Sequence, residues 1–227
     1  MRGRPIALAA MSADIIALQE ADRRLGNRPS ALCRNLIRQE TAFEVVNLAT
    51  NAVSLGWHGN AILIRKGMRV AEIARIALPG LEPRGAVSVR IENFGSLEVV
   101  GTHLGLTRYH RRHQLRVLAD HLQRSDRAIL VGDFNEWSMR KGLEPIGDRF
   151  EVEAPGRTYH AARPLAALDR IAVTRGLTVR ARGVGNGPIA RRASDHLPIW
   201  ADVTLAPDSA AILKREPGSQ YCAADHA

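Results

Sequence analysis

The sequence predicts an α/β fold in which two packed β-sheets are flanked by helices, and three patterns predict it. Residues 61–64 (Ala-Ile-Leu-Ile) and 128–131 (Ala-Ile-Leu-Val) are continuous apolar runs, as expected of strands covered on both faces. Residues 86–92 alternate, with Val87, Val89 and Ile91 on one side, and so predict a half-buried strand. Over residues 109–123, Leu115, Leu118, Ala119 and Leu122 recur at helical spacing while Arg111, Arg112, Arg116 and Asp120 fill the other face. Strands in series with an occasional helix bury their apolar faces by stacking two sheets and placing helices outside.

In chain order, Asp14-Ile-Ile-Ala-Leu-Gln-Glu20 reads as an early strand. The runs at 61–64, 86–92 and 97–103 follow, then the helix and the run at 128–131. Further strands are predicted at about 169–174, 177–184 and 198–204. No internal repeat or low-complexity linker divides the chain. One domain over 1–205 is expected, a size that a single α/β core commonly fills. Residues 206–227 show no sustained period and contain Pro207, Pro217 and Gly218, which predicts a disordered tail.

Two cysteines, Cys33 and Cys222, give neither a disulfide framework nor metal-ligand spacing, which suits a reducing compartment. No apolar run approaches the ~20 residues of a membrane span. The apolar part of the first ten residues is too short for a secretory signal. A cytoplasmic monomer is therefore expected. The formal charge of +9 favours an anionic substrate. It selects none, because the basic residues are nearly all arginine and are spread along the whole chain. With aromatics at only 4%, a base-stacking platform for single strands is disfavoured.

The chemistry lies at the strand ends. Glu20 closes the first apolar run, His103 the run from Leu97, and Asp133 and Asn135 the run from Ala128. Asp169 opens Asp-Arg-Ile-Ala-Val, and Ser194-Asp195-His196 precedes Leu-Pro-Ile-Trp. Side chains so placed sit on loops held by a rigid scaffold, where sites are built. Carboxylates, an amide and two histidines together suit metal-assisted hydrolysis. Phosphoester hydrolysis needs neutralised phosphoryl charge, an activated water and a stabilised leaving oxygen.

At these motifs (Leu18-Gln19-Glu20, Gly132-Asp133-Phe134-Asn135, Leu168-Asp169-Arg170-Ile171 and Ser194-Asp195-His196, with Thr102-His103 between) the chain resembles the endonuclease/exonuclease/phosphatase superfamily over roughly residues 8–204. The resemblance implies a DNase I-like four-layer sandwich of two mainly antiparallel sheets flanked by helices. It also implies divalent-metal-dependent hydrolysis of a phosphate ester, with a phosphodiester of nucleic acid, a phospholipid head group or a small phosphoester as the substrate.

By the same resemblance, Glu20 and Asp195 hold Mg²⁺ or Mn²⁺, which hard oxygen ligands suit. His196 assists water attack or contacts the scissile phosphate, and Asp169 orients it; the alternative for Asp169 is an ion pair with Arg170. Asp133 and Asn135 orient the water and hold a non-bridging oxygen. His103 is a phosphate contact or leaving-group acid, or else a structural histidine. Asn60, in Gly59-Asn60-Ala61, matches a substrate-contacting position near the rim. Ser194 shapes its turn rather than acting as a nucleophile, since no Gly-x-Ser-x-Gly elbow surrounds it. The arginines at 108, 111, 112, 191 and 192 are candidates for the cleft rim. Trp57 and Trp137 line the entrance or pack in the core.

Family members begin with an asparagine-bearing strand and a helix. Here Arg4 to Met11 match the end of that helix, so the first strand and its asparagine are expected to be missing. This motivates the alternative of a truncated, catalytically impaired member that binds phosphate or nucleic acid. A pure DNA-binding module is a third reading, unsupported by any helix-turn-helix pattern.

Overall fold

The apolar runs form the facing layers of a sandwich. In the computed structural model, which describes residues 12–138 and 141–205, the larger sheet holds six strands. They are β4 (Val70–Leu78), β5 (Arg84–Ile91), β6 (Leu97–His103), β7 (Ala128–Asp133), β9 (Asp169–Thr174) and β8 (Phe150–Glu153), side by side in that order. All neighbours are antiparallel except β6 and β7. That parallel pair needs a crossover, supplied by helix α2 (Arg108–His121), whose Thr107 cap accepts a hydrogen bond from His110 N. Opposite lie a three-stranded sheet, β1 (Ile15–Leu18), β3 (Ala61–Arg65) and β2 (Phe43–Val45), and the antiparallel pair β10 (Leu177–Val184) and β11 (Ile199–Leu205). Short helices α1 (Arg34–Glu40), α3 (Glu144–Gly147) and α4 (Pro188–Ala193) are the other α-helices among the described residues.

Three apolar clusters show the layering. Between the sheets, Val87, Val89, Ile91, Leu97, Val99, Ile171 and Val173 meet Leu48, Ile62 and Ile64. Val179, Ile199, Ala201 and Val203 of β10 and β11 join the same cluster. On the far side of the large sheet, Ile76, Ala86, Val100 and Leu130 pack under Leu115, Leu118 and Leu122 of the α2 segment. On the far side of the small sheet, Ile37 of α1 packs on Ile16, Phe43 and Leu63. Helix, sheet, sheet, helix is the expected four-layer sandwich.

Two sequence expectations need correction. Strand β5 is not half-buried: Ala86 and Ser88 face α2 and are buried as well. Arg111 does not lie on the solvated face of α2; it is buried against Glu136. Strand β4 went unpredicted because, as an edge strand with mostly exposed side chains, it lacks a clean apolar period. The expected first-helix remnant and missing strand concern residues 1–11, and the expected tail concerns 206–227; both lie outside the described residues. No helix among the described residues is long and apolar enough to cross a membrane.

Candidate active site

Strands β4, β6 and β7 share one direction, so the loops after them leave from one edge of the large sheet. His103 and Asp133, opposite each other in the parallel register, end β6 and β7 at that edge. Asp169, the first residue of the antiparallel β9, pairs with Asp133 there. The backbone requires glycine just before: Gly132 has φ 145°, and a Cβ would come within 1.9 Å of Thr102 O. Asn135 adopts φ 51°, a conformation asparagine tolerates. That turn returns its N–H to Asp133 Oδ1 at 2.7 Å, while its side-chain Nδ2 donates to Leu104 O at 2.9 Å.

His196 arrives from the β10–β11 connection. Its Nδ1 lies 2.9 Å from Asp169 Oδ2, and its Nε2 3.9 Å from Asp133 Oδ2. His103 Nε2 lies 3.4 Å from the same Asp133 oxygen. Thr158 donates its hydroxyl to Asp169 Oδ2, and the Tyr159 ring lies 5.0 Å from the His196 ring. Backbone bonds from Ala161 N to Asp195 O and from Leu197 N to Thr158 O tie the Ser194–His196 turn to the β8–β9 loop. Ser194 Oγ accepts from His196 N, the turn-shaping role read from the sequence. Asp169 therefore faces His196; Arg170 instead sends its guanidinium to the carbonyls of Ala167, Asp169 and Glu136.

The protonation states follow from burial and neighbours. Burial pushes the Asp133 carboxyl up to about 6, helped by the charge of Asp169. His103 falls to about 4 because burial and the nearby Arg84 cation both oppose its charged form. For His196 burial also opposes charge, but the Asp169 hydrogen bond and the surrounding carboxylates outweigh it and raise the group to about 8. At neutral pH the cluster thus holds a neutral and a charged imidazole on either side of one carboxylate.

Glu20 stands at the end of β1 with φ 52°, and its charge acts on His103. Asp195 acts on His196. Both carboxylates are exposed, and Arg24, bonded to Glu20 at 2.5 Å, also feels Asp195 and Glu82. Among the described residues no three His, Cys, Asp or Glu side chains form a metal-binding group. The donor set available is two exposed carboxylates, one of them ion-paired to Arg24, whose chemistry fits a hard cation that completes its shell with water and substrate oxygens. Asn60 follows Gly59, whose carbonyl accepts from Ala21 N beside Glu20; Asn60 is buried, its Nδ2 donates to Gly85 O at 2.8 Å, and its Oδ1 has no partner.

Three residues at this edge escaped the sequence reading. Arg84 opens β5 two residues before Ala86, the partner of Thr102; it pairs with Glu82 at 2.7 Å and its charge reaches His103 and Asp133. Its Nε is buried without a partner. Glu136 is buried just after Asn135. It receives Arg108 at 2.9 Å, Arg111 at 2.8 Å and Ser138 N at 2.9 Å. Burial opposes its charge, yet these donors hold it at about 2. Tyr159 has no distinguishing neighbour in sequence. Of the predicted rim arginines, Arg191 bonds Asn186 and Ala162 O, and Arg112 pairs with Glu144. Trp57 packs on the inter-sheet core, whereas Trp137 is exposed.

Residues 6–196 match the sequence profile described as Endonuclease/Exonuclease/phosphatase family. The Escherichia coli protein YbhP is 30% identical over 227 residues, covering 88% of this chain and 86% of its own. An endonuclease/exonuclease/phosphatase from Bacteroides vulgatus superposes with a TM-score of 0.69 at 18% identity, over 90% of this chain and 91% of that one. A mannosyl-6-phosphatase from Bacteroides thetaiotaomicron gives 0.61 at 14% identity, over 76% and 81%. These two share the fold.

Proposed function

The chain belongs to the endonuclease/exonuclease/phosphatase family, and from that premise we propose that it hydrolyses a phosphodiester with the help of a divalent metal. One observation carries the reading: a single buried carboxylate, Asp133, stands between two imidazoles, one of them anchored by a second carboxylate. Asp133, with its pKa raised to about 6, is suited to orient a water and take its proton near neutral pH. The water oxygen joins phosphorus as the bond to the leaving oxygen breaks. His196, charged at neutral pH and steered by Asp169, places its Nε2 proton towards the phosphoryl group and leaving oxygen. Asn135 keeps one amide proton on Leu104 O and has a second for a non-bridging oxygen. His103, neutral at physiological pH, suits a hydrogen-bond contact and not the role of leaving-group acid.

Glu20 and Asp195 are the residues that would hold Mg²⁺ or Mn²⁺, which supplies charge neutralisation at the phosphoryl oxygens. A diester is favoured over a monoester on charge. The neutral His103 brings a hydrogen bond but no positive charge to a second negative charge, and Arg84 shares its charge with Glu82.

The test is Mg²⁺-dependent turnover of bis(4-nitrophenyl) phosphate beside 4-nitrophenyl phosphate. We expect the diester to be preferred, activity to vanish in chelator and in Asp133→Ala, and Mn²⁺ binding by calorimetry to be lost in Glu20→Gln and Asp195→Asn. Undiminished turnover in Asp133→Ala would sink the site assignment.

A further inference from the structure

Loops at the catalytic edge carry apolar side chains out into solvent. Leu25 lies on the loop that follows Glu20, Leu81 between β4 and β5, and Leu106 and Tyr109 at the start of the α2 crossover. Trp137 follows the Asp133–Asn135 turn, and Leu165 lies on the β8–β9 loop that braces His196. These six are 64% to 88% exposed, whereas no other large apolar side chain among the described residues exceeds 47%. Their neighbourhood is not only topological. Leu81 and Leu106 line one cavity of about 120 Å³ with Arg84. Trp137 adjoins Glu136, which binds Arg108, the neighbour of Tyr109.

Scattered exposed leucines mean little, but a set concentrated around one cleft marks an interaction surface. The charge around it identifies the partner. Each acidic side chain of Glu20, Glu82, Glu136 and Glu144 is paired with an arginine. Arg23 and Arg163 are exposed on the same loops in addition, and Arg191 and Arg192 are exposed on the adjoining β10–β11 connection, where they outnumber the exposed Asp195. The rim is therefore apolar at its tips and positive between them.

We infer that this rim docks on an anionic phospholipid surface and presents lipid head-group diesters to the cleft. The inference rests on the proposed hydrolase reading for its chemistry but not for its geometry. Leucine tips gain by leaving water for acyl chains, Trp137 and Tyr109 suit the head-group boundary, and arginines meet lipid phosphates. Nucleic acid fits less well, since four of the six tips are leucines, which cannot stack on bases. Hydrolysis at the surface adds water across one P–O bond: the oxygen goes to phosphorus, one proton to the leaving alkoxide and the other to solvent.

The experiment is co-sedimentation of the full chain with phosphatidylcholine vesicles containing increasing phosphatidylglycerol, at two salt concentrations. Soluble bis(4-nitrophenyl) phosphate turnover is followed in parallel. Binding should rise with phosphatidylglycerol and fall with salt. Leu106→Ser/Tyr109→Ser should bind at least about tenfold more weakly while its soluble turnover stays within about twofold, because surface apolar tips contribute to insertion and not to the chemistry. Leu25→Ser/Leu165→Ser, on other loops, repeats the test independently should the first pair fail to fold. Asp133→Ala should bind vesicles like the parent chain. Soluble turnover without vesicle binding would overturn the inference and leave the hydrolase standing. Vesicle binding without turnover by the parent chain would uphold the surface and remove the hydrolase. Undiminished binding by both rim variants, or stronger retention by duplex DNA than by vesicles at equal salt, would also overturn it.

Discussion

Asp133 and Asp169 are direct cross-strand partners in the antiparallel pairing of β7 with β9, two carboxylates facing each other at the end of the sheet. His196 reaches both, with Nδ1 2.9 Å from Asp169 and Nε2 3.9 Å from Asp133. Like charges directly opposite destabilise a sheet, and the sequence retains them where the chemistry is proposed.

That arrangement predicts a trade of stability for function at Asp133. Because its folded pKa is raised from 3.8 to about 6, the folded state binds the proton more tightly than the unfolded chain. The cost is fully present above about 6 and is relieved as pH falls towards the unfolded value. Asp133→Asn, measured in chelator at about pH 8, should therefore gain up to about 3 kcal/mol in urea unfolding while losing activity. A destabilised variant would refute this account.

The same group predicts the acidic limb of activity. If the Asp133 carboxylate is the working form, kcat/KM rises with pH through about 6. Arg84 lowers that pKa through its charge, so Arg84→Met should move the limb to higher pH. A limb that stays in place would show that another group sets it.

Glu136 holds the loop that carries Asn135. It joins Arg108 and Arg111 to the turn after β7, and Arg111 in turn donates to the carbonyls of Gly105 and Leu106. Glu136→Ala leaves the buried Arg111 unpaired and should cost about 3–5 kcal/mol. Adding Arg111→Met should recover part of that loss, since the stranded charge is gone. Strictly additive losses in the double variant would exclude the coupling.

Glu98 lies in mid-sheet on β6, beneath the α2 segment, where Ser88, His121 and Ser125 bond its carboxylate. Burial works against the charge, but these partners bring the pKa down from 4.5 to about 2. The stabilisation is therefore complete above about 4.5 and is lost as pH falls through about 2. Glu98→Gln should cost on the order of 3 kcal/mol near neutral pH, with the gap from the parent chain closing towards pH 2. Urea titrations across that range decide it.

What the sequence determined by itself was β1, β3, β5, β6, β7, β9, β10 and β11 and the order of the polar residues at their ends; β2, β4 and β8, all at sheet edges, it did not. The period of a strand and the residue that closes it are local properties, readable over a few positions; β9 and β10 span the ranges expected from the sequence. Only the tertiary structure decided which charges meet. Asp133 comes to Asp169 across 36 residues, Arg111 to Glu136 across 25, and Glu98 to Ser125 across 27. Arg111 looked like a solvated helix residue because burial depends on what packs against its face, and that partner is distant in sequence. The shifted pKa values of Asp133 and His103 and the ring of exposed apolar tips have the same origin: each depends on loops that share one edge only after the strands have paired.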